Sequence, residues 1–251
     1  LPFPRDMPLR AGGSKESTFI RFVDQKMLHI QRRFAKRTTP ASAFLSEMDR
    51  DKGDSWGDVK GYSSMKEAFA ELEELVNIVW ISGTPGLQIP YLITIAVQVH
   101  NIIQAMPPSH PKSLFHILEK LDHAFTSLLQ GRDSETGQSL PGLADGRTVN
   151  GTEKVRIRSL VERTRVSVVE AFKRGDFESN GAEMTDAETD DDDLNMDGDA
   201  SNEDDLIIEG AEDFVDEEEA TIDMQIARVY DRTIVELGDS LEEPSIGIIT
   251  E

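Results

Sequence analysis

The 251-residue sequence contains no cysteine. That excludes a disulfide framework and any thiolate metal site, and it fits a reducing compartment. Apolar residues make up 38% and aromatics 6%, below the roughly 45–50% apolar content of an ordinary globular chain. No uninterrupted apolar run reaches the roughly 18–20 residues that a membrane span needs. The longest candidate, Ile89 to Met106, is broken by Gln98, His100, Asn101 and Gln104. Enzyme signatures are missing as well. There is no Gly-rich phosphate loop, no Gly-x-Ser-x-Gly elbow and no His-Glu-x-x-His pair. On this reading the chain is not an enzyme, and neither a cofactor nor a metal is assigned. Leu1 rather than Met opens the sequence, which fits a fragment or a processed product, with any targeting signal lost upstream.

Positive charge is also scarce in one region, and that scarcity organises the rest. Residues 176–251 carry 2 Lys/Arg against 28 Asp/Glu, a net of −26, whereas residues 1–175 carry 24 against 20, a net of +4. The whole-chain value of −22 describes neither part.

The mildly basic part reads as helical. Residues 1–15 are rich in Pro and Gly, show no periodicity and are expected to be disordered. A first helix over about Glu16 to Lys36 puts Phe19, Phe22, Val23, Met27, Ile30 and Phe34 on one face. Arg21, His29, Arg32, Arg33 and Lys36 form an adjacent basic arc that can meet phosphates. The simpler reading of that arc is a solvated helix face, since +4 is a weak nucleic-acid footprint and no recognition motif accompanies it. Residues 38–62 read as a polar linker.

A second helix opens on a Ser64-x-x-Glu67 capping box and stops near Gly83. A third takes Pro90 in its first turn, ends at Pro107-Pro108 and is apolar on most sides, so it should be central. The fourth runs from Pro111 to just before Gly131. Its apolar stripe is Leu114, Ile117, Leu118, Leu121, Phe125 and Leu128, which puts His116 and His123 on the solvent side. Residues 131–151 read as a mobile loop. A fifth helix is expected from an N-cap at Thr152 to Arg174, with Gly175 as its C-terminal cap. His100 reads as a hydrogen-bonded core or interface histidine, Trp80 as a helix-end anchor and Trp56 as an exposed linker residue.

Residues 176–217 are too acidic and too poor in apolar side chains to offset chain entropy, and read as a disordered linker. Periodicity returns over about Glu218 to Leu237, where Ile222, Ile226, Val229, Tyr230, Thr233 and Leu237 share a face. That helix either docks on the bundle or forms on a partner. The predicted fold is thus all-α: a bundle of about five helices over 16–175, a long disordered acidic tail, and one further C-terminal amphipathic helix with an aliphatic terminus over 218–251.

The acidic part holds several short motifs. Asp193 to Asp199 matches the opening of a calcium-binding EF-hand loop. Position twelve is Asp204 rather than Glu, however, and no amphipathic helix precedes the loop, so chance in an Asp-rich stretch explains it better. Leu206, Ile207 and Ile208, and again Ile246, Ile248 and Ile249, are aliphatic clusters set beside acids. They resemble SUMO-interacting motifs, which add a strand to the modifier's sheet. Thr185, Thr189, Ser201 and Ser240 each precede acidic residues and are candidates for an acid-directed kinase. The tail can bind basic partners such as histones, fold back on the basic faces, or only maintain solubility. Taken together, the favoured reading is a non-enzymatic protein-interaction subunit of a nuclear assembly acting on chromosomes or transcription. The rivals are an acidic chaperone for basic proteins and a helical enzyme with a buried site. Partners are other proteins, basic or SUMO-like, with nucleic acid a weaker option and no membrane. The compartment is nuclear, otherwise cytoplasmic.

Overall fold

The structure is a computed structural model that describes residues 1–38, 59–106, 109–143, 149–174 and 221–242. The chain divides into two units, Leu1–Phe177 with Gln225–Glu251, and Glu178–Met224. Within the second, the described residues 221–224 are helical. The first is all-α, and among its described residues the one β feature is an isolated bridge between Arg132 and Ser139.

Among its described residues the named helices are α1 Ser14–Thr38, α2 Met65–Ile81, α3 Pro85–Ala105, α4 Pro111–Gln130, α5 Gly151–Lys173 and α6 Asp231–Glu242. Helix α3 packs on α2 and α5, α2 on α4, and α6 on α4 and α5. These contacts form a ring that α6 closes, with α1 laid outside against α2 and α3. Helix α3 is long and apolar enough to cross a membrane, but 61% of that stretch is buried in the core. Its buried positions run from Gln88 to Ile103 on nearly every side, as its composition predicts.

The helix ends follow local chemistry with several departures from the sequence reading. Ser64 caps α2 by accepting from Glu67 N–H at 3.3 Å, but the Glu67 carboxylate does not return to Ser64. It accepts instead from the Ser63 N–H at 2.9 Å and the Ser63 hydroxyl at 2.7 Å. The reciprocal capping box belongs to α5, where Asn150 and Glu153 exchange bonds of 2.9 and 3.0 Å. The N-cap is therefore Asn150 and not Thr152; the C-cap position is Arg174, and Gly175, expected to cap this end, lies outside the described residues. Helix α3 begins earlier than Pro90, because Pro85 takes its first turn, where the missing N–H is harmless. Gly131 ends α4 in the left-handed region at φ 71°.

Three segments read as irregular are built into the fold. Residues 1–13, expected to be disordered, run along the α2–α3 turn. Arg5 N–H donates to the Ile81 carbonyl at 3.1 Å, Leu9 N–H donates to Thr84 Oγ1 at 2.8 Å, and Leu9 is buried. Gly83 permits this approach, since a Cβ there would stand 2.8 Å from the Arg5 carbonyl oxygen. The loop after α4, expected to be mobile, is pinned over 131–143. Asp133 N–H donates to the Gln138 carbonyl and Leu140 N–H to that of Gly131, while Leu140 and Leu143 enter the core. The end of the polar linker is likewise fixed by the burial of Tyr62.

Candidate interaction surfaces

The basic arc of α1 does not survive as one surface. Arg21 is exposed, His29 and Arg32 are half-buried, and Lys36 is exposed. Arg33 turns inward as a clamp. Its guanidinium bonds both Glu67 and Glu71 on α2, donates to the Lys60 carbonyl at 3.0 Å, and lies 4.2 Å from the Tyr62 ring centroid. The Tyr62 hydroxyl donates to the second Glu71 oxygen at 2.7 Å. The Ser63 N–H and hydroxyl, and then Arg33, lower the Glu67 carboxyl to about 2. Burial, then the bond to Glu71, raises the Tyr62 phenol. A fork of donors that meets two carboxylates and an aromatic face is taken up locally, and does not reach a phosphate. Elsewhere Tyr91 of α3 donates to Asp24 of α1 at 2.7 Å.

The seat of α6 is a second constructed region. A continuous helix to Leu237 is expected from the periodicity, but the chain breaks into a helical stretch over 221–227, a turn at 228–230 and α6. Tyr230 adopts φ 56° at the break, a conformation that costs a non-glycine residue free energy and persists only where surroundings enforce it. Two things enforce it here. The Tyr230 ring is fully enclosed beside Phe125, and Asp122 of α4 caps the restarted helix. Asp122 Oδ1 accepts from the Thr233 N–H at 2.9 Å and the Thr233 hydroxyl at 2.6 Å. The Thr233 N–H, a first-turn donor of α6 that lacks a partner within its own helix, is thus satisfied from another helix. Burial nevertheless outweighs these bonds and raises the Asp122 carboxyl. Val229, Tyr230, Thr233 and Leu237 are buried, Ile226 packs against the same core, and Ile222 lies in the 221–227 stretch.

That seat corrects the reading of α4. His116 faces solvent, but His123 is buried, with Nε2 3.3 Å from Asp133 and Nδ1 3.4 Å from Glu135. The whole stretch from Leu121 to Leu129 is buried, because α6 and the 131–143 loop cover the face that a one-sided stripe leaves to water. His100 is buried too, with Nδ1 unpaired. Burial, then the charge of Arg163, lowers its pKa. Trp80 is a buried residue near the end of α2.

A third surface lies open. The N-terminal segment, α1 and α2 enclose an apolar groove of about 550 Å³ lined by Leu9, Phe19, Phe22, Ile78 and Ile81, with Arg5 and Lys15 among its residues. Phe22 remains 42% exposed and Ile81 40%.

The clusters Leu206, Ile207, Ile208 and Ile246, Ile248, Ile249, the candidates Thr185, Thr189 and Ser201, the Asp193–Asp199 stretch and Trp56 lie outside the described residues. Ser240 falls within the backbone of α6. Among the described residues no group of three or more His, Asp or Glu side chains is placed to hold a metal ion.

One comparison with known proteins is informative. Residues 61–238 match the family TFB6, described as subunit 11 of the general transcription factor TFIIH. No curated protein and no solved structure matches the chain. The matched span starts one residue before Tyr62 of the α1–α2 clamp and ends one residue after the core position Leu237, so it contains α2 to α5 whole and α6 as far as residue 238. Covering well over half of the sequence, the match shows that the chain belongs to the TFB6 family of TFIIH subunits.

Proposed function

We propose that this protein is a protein-binding subunit of TFIIH whose acidic segment is a contact loop held at both ends. Family membership supports a nuclear, transcription-related and non-enzymatic subunit with protein partners in a complex. The observation that carries the finer reading is connectivity. The acid-rich residues 176–219 leave from the end of α5 and lead back to α6, which closes the same core. The acidic stretch is therefore an insertion between two packed helices. Long insertions cost little, since each doubling of loop length adds only about 0.6 kcal/mol of closure free energy.

The acids can meet basic patches on partner subunits or histone-like proteins over a Debye length of about 8 Å at physiological salt. Leu206, Ile207 and Ile208 offer a SUMO-type strand within that loop, and phosphorylation at Thr185, Thr189 or Ser201 deepens its charge.

The test replaces 178–219 by a neutral Gly/Ser segment of equal length in the tagged full chain. Truncation at 175 is unsuitable because it also strips Val229, Tyr230 and Leu237 from the core. The wild-type chain is expected to co-purify with other TFIIH subunits. The neutral-loop variant is expected to keep its helical circular dichroism while losing salt-sensitive partners. Failure of the wild type to recover any TFIIH subunit sinks the subunit reading, and unchanged recovery by the variant sinks the role of the loop.

A further inference from the structure

The groove between the N-terminal segment, α1 and α2 keeps large apolar side chains open while the helices beside it close their seams. Its volume of about 550 Å³ falls within the roughly 300–1,000 Å³ range of clefts that take a ligand. Its walls are Phe19, Phe22, Ile78 and Ile81, and its two cations are Arg5 and Lys15. Such a site suits a short aliphatic segment with acidic flanks. The sequence supplies one directly after α6: Glu242-Glu243-Pro244-Ser245-Ile246-Gly247-Ile248-Ile249-Thr250-Glu251.

Geometry brings the two within reach. Gln130, at the end of α4, donates to Glu236 of α6 at 2.9 Å. The next residue, Gly131, opens the loop in which Leu140 N–H bonds back to the Gly131 carbonyl. Pro141, beside Leu140, lies 3.6 Å from where a Cβ on Gly83 would stand. Ser82, beside Gly83, is part of the groove. Glu236 of α6 and the groove are thus linked through the loop at the end of α4. The 9 residues after Glu242 span up to ~30 Å when extended. Pro244 is placed to stop the helix and start an extended path.

We propose that Ile246, Ile248 and Ile249 of this chain fill the groove, with the flanking Glu243 and Glu251 facing Arg5 and Lys15. An acid-flanked aliphatic segment of a partner must then displace them. The displacement clause deepens the partner-binding reading above, whereas occupancy of the groove stands without it.

The lack of native cysteine makes a disulfide trap unambiguous. In the full chain, Phe22→Cys with Ile248→Cys is compared with Val166→Cys and Ile248→Cys, both bundle positions being exposed, 42% and 57%. The 22–248 pair is expected to oxidise within one molecule at least tenfold faster than the 166–248 pair. Arg5→Glu with Lys15→Glu is expected to remove most of that advantage. Equal rates for the two pairs, a predominance of intermolecular disulfides, or faster oxidation of Phe22→Cys with Ile207→Cys would each overturn the assignment. A second measurement guards against a misfolded variant. Amide exchange over Ile246–Thr250 in the wild-type chain is expected to be at least tenfold slower than in the Phe22→Glu variant, and no protection in the wild type sinks the proposal. Neither experiment includes a partner, so their failure is distinguishable from failure of TFIIH association.

Discussion

Replacing Asp122 by alanine tests how α6 is held. The substitution removes the acceptor of two buried donors, the Thr233 N–H and the Thr233 hydroxyl. The hydroxyl retains nearby oxygens, the Asp122 carbonyl at 3.2 Å and Thr126 Oγ1 at 3.3 Å. The amide has no such substitute. With a cost of about 1–3 kcal/mol for each buried group left unpaired, and the hydroxyl partly rescued, the loss should be about 2–4 kcal/mol. Asp122→Asn is the informative companion. Its side-chain oxygen can still accept from the amide, and it removes the charge whose burial raises the carboxyl, so its cost should stay within about 1 kcal/mol.

Urea unfolding of the full chain reads both numbers, and amide exchange locates the effect in α6. A carboxyl whose folded pKa lies above its unfolded value binds its proton more tightly when folded. Its contribution therefore grows as pH falls through the folded value and is lost as pH rises. The wild type should accordingly gain on the asparagine variant on acidification. Alanine and asparagine variants agreeing within about 0.5 kcal/mol, well under the cost of one orphaned amide, would refute the capping argument.

Two further outcomes follow from the same packing. Tyr230 buries a hydroxyl with no hydrogen-bond partner among the described residues, so Tyr230→Phe should be neutral or stabilising by up to about 1 kcal/mol, as measured by the urea midpoint; a clear destabilisation would mean that the hydroxyl has a partner. The Glu67 carboxyl is lowered from 4.5 to about 2, which makes it a source of stability above its ordinary pKa that is lost as pH falls toward 2. Acid titration of Arg33→Met, followed by circular dichroism, should show a shallower loss across that window than the wild type, and identical profiles would remove Arg33 from the account.

Much of the helical layout was legible in the sequence because it rests on local patterns. The 3-4 spacing of Ile157, Leu160, Val161, Thr164, Val168 and Phe172 predicts a packed seam, in which all but the half-buried Phe172 are buried, and the all-round apolar composition of α3 predicts its central place. Gly131 ends α4 where the sequence says it should. The interaction surfaces were less legible. His123 reads as solvent-facing because a helical wheel knows only its own helix. Two further elements cover that face, and nothing near residue 123 signals them. Arg33 reads as one more member of a basic arc, and only the arrival of Glu67, Glu71 and Tyr62 turns it inward. The Asn150 and Glu153 box was available in the sequence as an N-cap followed three residues later by Glu.

By itself the sequence determined the all-α class, most helix cores and the abrupt charge change near residue 175, since periodicity and composition act over a few turns of chain. Tertiary structure decided where the helix after that acidic stretch packs. Thr233 finds its cap 111 residues away at Asp122, and Leu9 finds Thr84 at a separation of 75. Desolvation and hydrogen bonding at such distances choose among locally equivalent options. Here they break a predicted helix at Tyr230 and draw the C-terminal helix into the same core as α5.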